Sequence, residues 1–145
     1  MTGNIVQAMT GIAPSAQDER AIGALLLSYG SAIDRRDWDK FRACFSDDCE
    51  CDYGSFGKWR GPAAITLYMK QAHADVGATM HRITNIEIAM GDGRADARSY
   101  VDALLLPMSD GGPVHHAVGY YDDQLIRTSN GWRIARRQFV PVKLS

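Results

Sequence analysis

TMHRITNIEIAMGDGRADARSYVDALLL, residues 79–106, is the stretch that decides the fold. Apolar residues recur in it with a period of two on both sides of Gly91-Asp92-Gly93, a hairpin signal, so it reads as two long antiparallel strands joined by a tight turn. The alternation runs on from there: Pro107 to Pro113 reads as a longer loop and Asn130-Gly131 as a second hairpin turn. Strands are expected over about 79–90, 94–106, 114–128 and 132–140, forming a meander. On the first of them His81, Ile83 and Asn85 share one face, and Met80, Arg82, Thr84, Ile86 and Ile88 the other. Neither face is purely apolar near His81.

Upstream of residue 79 the period is helical. Ser15 and Asp18 form a capping box, and Ile22, Leu25, Leu26, Tyr29 and Ile33 follow at helical spacing, which predicts a helix over Ala16 to Ile33. Asp34-Arg35-Arg36-Asp37 breaks it. Asp37 then caps a short second helix with Trp38, Phe41 and Phe45 on one face, ended by Ser46-Asp47-Asp48. Cys49 to Tyr53 alternates as a strand, Gly54 to Gly57 is a turn, and Lys58-Trp59-Arg60 is the returning partner. Pro62 opens a third helix with Ile65, Tyr68, Met69 and Ala72 on one side and Gly77 as its stop. The sum is an α+β fold, a cone-shaped curved antiparallel sheet with three N-terminal helices on its concave side, enclosing a pocket. Residues 1–15 read as an N-terminal tail and 16–145 as a single domain.

Composition excludes several functions. At 145 residues and 16.0 kDa, with a net charge of -1 and a pI near 6.4, the chain is long enough for one core and has no basic footprint for nucleic acid. Its basic pairs, Arg35-Arg36 and Arg136-Arg137, are separate. Met1 to Ala16 lacks a basic start and an apolar run, and no stretch reaches membrane-spanning length, so a soluble, cytoplasmic protein is expected. Cys44, Cys49 and Cys51 read as reduced thiols and small wall residues. No His-Glu-x-x-His, Cys-x-x-Cys, Walker or strand-linked G-x-G-x-x-G pattern occurs, and no nucleophile elbow, so neither metal nor nucleotide cofactor is expected.

Ile33-Asp-Arg-Arg-Asp-Trp-Asp39 followed by Cys51-Asp-Tyr-Gly-Ser-Phe56, together with Thr79-Met80-His81 and a late histidine at His115-His116, resembles scytalone dehydratase. The wider resemblance, over nearly the whole chain after residue 15, is to the superfamily of bile-acid dehydratases, SnoaL-like polyketide cyclases, ketosteroid isomerase and nuclear transport factor two, with its cystatin-like fold. It implies that Asp34 orients His81, that His81 is the base, that Tyr53 polarises a substrate carbonyl, and that the late histidine assists the leaving group. Scytalone dehydratase has a tyrosine before the aspartate, where this chain has Ile33. Tyr29 is the expected replacement, five residues before Asp34 as in the bile-acid dehydratases. The sequence ends at Ser145 without the extension that closes the scytalone pocket, so another substrate is expected.

The chemistry is consistent with those roles. Imidazole, with an ordinary pKa of ~6.5, suits proton removal beside a carbonyl, and a carboxylate on its far nitrogen fixes the tautomer. A preorganised phenol stabilises the oxyanion that forms. Of the adjacent histidines only one can face the pocket, and His116 is favoured because it shares a face with Val118 and Tyr120. Asp102, flanked by Tyr100 and Leu104, reads as an interior carboxylate or an oligomer contact. His73 is assigned to the surface or an edge, and Trp132 and Ile134 to the core. The reading is a cofactor-independent dehydratase for a hydrophobic cyclic or aromatic β-hydroxy carbonyl compound. Its alternatives are a binding module resembling the β-subunit of a ring-hydroxylating oxygenase, and an isomerase or dehydrohalogenase. Resemblance also implies a homodimer or homotrimer.

Overall fold

Ser15 caps the first helix as its sequence predicts. In this computed structural model, which describes residues 15–145, its hydroxyl oxygen accepts the Asp18 amide at 3.0 Å. The helix α1 (Ala16–Arg35) runs past Ile33 and buries Ile22, Leu26, Tyr29 and Ile33 along one face. Asp18 also accepts Arg127 at 2.8 Å and the Trp132 indole N–H at 3.1 Å, tying the helix start to the last hairpin. The tail expected over residues 1–15 lies, apart from Ser15, outside the described residues.

Asp37 caps α2 (Trp38–Arg42), accepting the Lys40 amide at 3.1 Å. Phe45, expected on that helix, instead begins β1 (Phe45–Asp52). The Ser46-Asp47-Asp48 run resembles a helix stop because it is polar. It lies in an irregular part of the strand, where the register against the C-terminal strand shifts and Asp47 and Asp48 project into solvent. Tyr53 follows the strand rather than belonging to it, opening a 3-10 turn over Gly54–Phe56, and β2 (Lys58–Arg60) returns antiparallel as expected. The helix α3 (Pro62–Ala72) ends on His73.

The meander consists of β3 (Val76–Met90), β4 (Arg94–Pro107), β5 (His115–Thr128) and β6 (Gly131–Leu144). With the first two strands it makes one curved six-stranded sheet in the order β2-β1-β6-β5-β4-β3, parallel at the β1 and β6 pair. Gly77 is not a helix stop: it lies in β3, where a Cβ would sit 2.5 Å from the Pro107 carbonyl oxygen. Asn85 takes a left-handed conformation (φ 49°), which Asn tolerates better than most residues. There Asn85 and Ile86 together oppose Ser99, a bulge that inverts the alternation. Ile83 faces the core before it, and Ile86, Ile88 and Met90 after it. The expected split, with Ile86 and Ile88 opposite Ile83, is corrected by that one extra residue.

The helix α1 packs on β3 with close backbone approach at Gly30. A Cβ there would meet the His81 carbonyl oxygen at 3.1 Å and the Ile83 Cγ1 at 3.2 Å. Gly30→Val is expected to destabilise by about 1–3 kcal/mol through overpacking. Urea unfolding measures it, and an unchanged midpoint would contradict the close fit. No helix among the described residues is long and apolar enough to cross a membrane.

Candidate active site

Asp34 stands in the last turn of α1, just before the chain turns left-handed at Arg36 (φ 57°). That turn aims the Arg36 guanidinium across to β3. It donates to the Ile33 carbonyl at 2.7 Å, the Gly77 carbonyl at 2.7 Å and the Thr79 hydroxyl at 3.0 Å. Thr79 in turn donates to Asp34 Oδ1 at 2.9 Å, and the His81 backbone N–H donates to Oδ2 at 2.9 Å. The imidazole Nδ1 of His81 lies 2.7 Å from Oδ1. Burial raises the pKa of Asp34, but the hydrogen bonds from His81 and Thr79 outweigh it and hold the carboxyl below its ordinary range. An ionised carboxylate only accepts, so Nδ1 of His81 carries a hydrogen, and in the neutral ring the lone pair is on Nε2. The His81 side chain is 8% exposed and that of Asp34 23%.

The His81 ring lines a cavity of about 210 Å³ between the helices and the sheet. Across it, Tyr121 donates to the Tyr29 hydroxyl at 3.5 Å, and the Tyr29 and Tyr53 hydroxyls are 2.7 Å apart. Burial pushes all three phenols well above their ordinary pKa, so they are neutral donors. Either hydroxyl of the Tyr29 and Tyr53 pair can donate; when Tyr29, accepting from Tyr121, donates to Tyr53, the Tyr53 hydrogen is free for a ligand oxygen. The Arg137 guanidinium lies beneath, 4.2 Å from the Tyr29 ring centre and 3.8 Å from that of Tyr121. It makes two 2.8 Å hydrogen bonds to Asp123. Burial opposes the charge on Arg137, and the Asp123 carboxylate more than offsets that.

Of the residues expected in the site, His81, Tyr53 and Tyr29 line this cavity, and Asp34 reaches it only through its hydrogen bond to Nδ1 of His81. His116 and Asp102 do not. On β5 the inward residues are Ala117 and Tyr121, so His116 faces outward, is exposed, and pairs across the sheet with Leu104. The favoured face, with Val118 and Tyr120, is the outer one. His115 shares the inward parity, but its ring is held at the strand start by the Ser145 carbonyl at 3.1 Å. Asp102 lies between Val101 and Ala103, both cavity residues, and points to the outer face, where it pairs with Arg82 at 3.2 Å. His73, assigned to the surface, is 7% exposed and lines the cavity. Thr79, Arg36 and Tyr121 were missed as well. Thr79 had a signal, since it shares a strand face with His81. Trp132 and Ile134 are core, as expected. Among the described residues no group of three or more His, Cys, Asp or Glu is placed to hold a metal ion.

A curved sheet closed by N-terminal helices around such a pocket is the cystatin-like, nuclear transport factor two-like fold. Within it the chain belongs to the SnoaL-like domain family, whose model matches residues 14–138. A functionally uncharacterized protein of Mycobacterium tuberculosis is 30% identical over 121 residues, which are 83% of this chain and 82% of the relative. A candidate scytalone dehydratase from Novosphingobium aromaticivorans superposes with a TM-score of 0.80 at 23% identity, covering 100% of this chain and 91% of that one. A candidate aromatic ring hydroxylase from the same organism gives 0.82 at 25% identity, over 92% and 95%. A type 2 hexachlorocyclohexane dehydrochlorinase gives 0.78 at 17% identity, over 88% and 86%.

Proposed function

We propose that this protein is a cofactor-independent lyase of the dehydratase type, removing water from a hydrophobic cyclic or aromatic β-hydroxy carbonyl compound. The observation that carries the reading is the His81 imidazole, committed through Nδ1 to Asp34 at 2.7 Å while its ring lines an aromatic cavity. Nε2 takes the proton beside the carbonyl, and the C–H electron pair moves to the carbonyl oxygen. Tyr53, fed by Tyr29, donates to that oxygen as its charge develops, an interaction stronger in the transition state than in the ground state. The enolate then expels the β-oxygen, which leaves as water with the proton returned by His81. Because an apolar cavity of roughly 150 Å³ takes benzene, the 210 Å³ present suits one substituted ring rather than a fused polycycle.

The test needs no knowledge of the natural substrate. In deuterium oxide the protein is expected to exchange the α-hydrogens of cyclic ketones such as cyclohexanone and 3-hydroxycyclohexanone, and His81→Ala to exchange them at the background rate. Equal exchange by the two proteins would remove the dyad. A second reading, elimination of halide by the same base, is favoured by the likeness of fold to the dehydrochlorinase. Chloride release from a β-chloro ketone, without dehydration of its hydroxy counterpart, would select it. No exchange by the wild type would leave a binding module.

A further inference from the structure

Thr79 and Arg36 do not line the cavity, yet both reach toward the carboxylate on which the base depends. Arg36 donates to the Thr79 hydroxyl oxygen at 3.0 Å. A guanidinium has no lone pair to offer, so Thr79 accepts there, and its one hydrogen is committed to Asp34 Oδ1 at 2.9 Å. That same Oδ1 accepts from Nδ1 of His81 at 2.7 Å, while Oδ2 takes the His81 backbone N–H at 2.9 Å. Two side-chain donors therefore share one carboxylate oxygen. A hydrogen bond to a carboxylate stabilises its negative charge, and the one from Thr79 helps to hold Asp34 below its ordinary range. Charge stabilised by Thr79 attracts less strongly the proton that His81 takes up. The other groups around the dyad are the Arg36 cation at the end of α1 and the His73 ring at the end of α3, 5.7 Å from that of His81 between centroids and disfavoured as a cation by burial. On β4 the residue opposite His81 is Ala103, which carries no charge.

Resting on the base role proposed above for His81, we infer that Thr79 is a positioning residue whose hydroxyl, its direction set by Arg36, moderates the pull of Asp34 on His81. The two partners of the imidazole then have opposite effects. Asp34 fixes the ring and favours its charged form, and Thr79 limits that preference so that the ring stays neutral to lower pH than Asp34 alone would allow. A base already protonated at the working pH cannot abstract a proton, so the limit matters for turnover.

The experiment follows the carbon-bound ring hydrogens of His81 by NMR through a pH titration of the full chain, the signals being assigned by their absence from His81→Ala. Thr79→Val keeps the shape and loses the hydroxyl. Its titration midpoint is expected to lie above that of wild type by about 0.5 or more, a change of roughly threefold in proton affinity. Thr79→Ala should move it the same way, and Thr79→Ser, which keeps a hydroxyl, should return it to near the wild-type value. Thermal unfolding of each variant verifies that it is folded. An unmoved or lowered midpoint in whichever of Thr79→Val and Thr79→Ala is folded overturns the inference, as does a Thr79→Ser that behaves like Thr79→Val. Deuterium exchange into cyclohexanone gives a second readout: the acid limb of its pH profile should move up with the midpoint, whereas a merely structural role would lower the rate alike at every pH. Failure of the lyase reading looks different: the midpoint shift and its rescue by serine persist while wild type exchanges no α-deuterium.

Discussion

Asp34→Asn is expected to lower α-hydrogen exchange by about 10³-fold or more, the scale seen when a base loses its orienting carboxylate, while the unfolding midpoint stays near that of wild type. The reason is the tautomer. In the wild type Asp34 accepts from Nδ1 of His81 at 2.7 Å, so the neutral ring has its lone pair on Nε2. An asparagine can turn its N–H toward Nδ1. The ring then accepts there, carries its hydrogen on Nε2, and offers the substrate a donor in place of a base. The other bonds to Asp34 survive in part, because an amide oxygen still accepts from Thr79 or the His81 amide. Exchange rates by NMR and a urea titration of both proteins measure the two quantities. A variant that exchanges within threefold of wild type would refute the orienting role. The pH dependence of stability should change as well. The folded-state pKa of Asp34 lies below its ordinary 3.8, so its stabilising contribution is complete above 3.8 and is lost as pH falls through the folded value. Asparagine has no such proton to bind, so the acid limb of the variant is flatter.

What could be read in advance was what repeats. Four strands and two hairpin turns followed from period-two alternation and from Gly91-Asp92-Gly93 and Asn130-Gly131, because each strand contributes many side chains to the pattern. Single insertions do not repeat. The bulge at Asn85 moves Ile86 and Ile88 to the core side, and the irregular stretch after Phe45 hides a strand behind two aspartates. In the site, Asp34 and His81 were legible from their motifs. Tyr29 and Asp34 are far apart around one helix, and of the two only Tyr29 lines the cavity, while Asp34 is hydrogen-bonded to Nδ1 of His81. His116 was misplaced because adjacent strand residues differ only in parity, and nothing in the local sequence says which one is inward. His73 follows a helix, so its burial depends on how α3 meets β3, a tertiary matter. Arg36 depends on a left-handed turn that either arginine of Asp34-Arg-Arg-Asp37 could have supplied.

Asp123→Ala is expected to cost about 3–5 kcal/mol, the range for removing one partner of a buried ion pair. Arg137 and Asp123 are 1% and 0% exposed in their side chains, and two of the guanidinium nitrogens donate to the carboxylate. The third, NH1, has no partner among the described residues, so Asp123 is the main compensation for the charge. Alanine leaves a buried cation facing the faces of Tyr29 and Tyr121, which offset only part of its lost hydration. Domains of this size have roughly 5–15 kcal/mol of stability in all, so the variant should unfold at a melting temperature lower by about 10 °C or more. Replacing both partners with apolar residues, as in Asp123→Leu with Arg137→Met, should recover much of the loss, since no charge then remains to be compensated. Chemical unfolding followed by circular dichroism gives the three values. A single variant within 1 kcal/mol of wild type would mean that the guanidinium finds water or another acceptor there. The double variant carries a second readout: its tyrosine relay remains, but without the cation beneath it the phenols are weaker donors, so deuterium exchange should fall although the fold is restored.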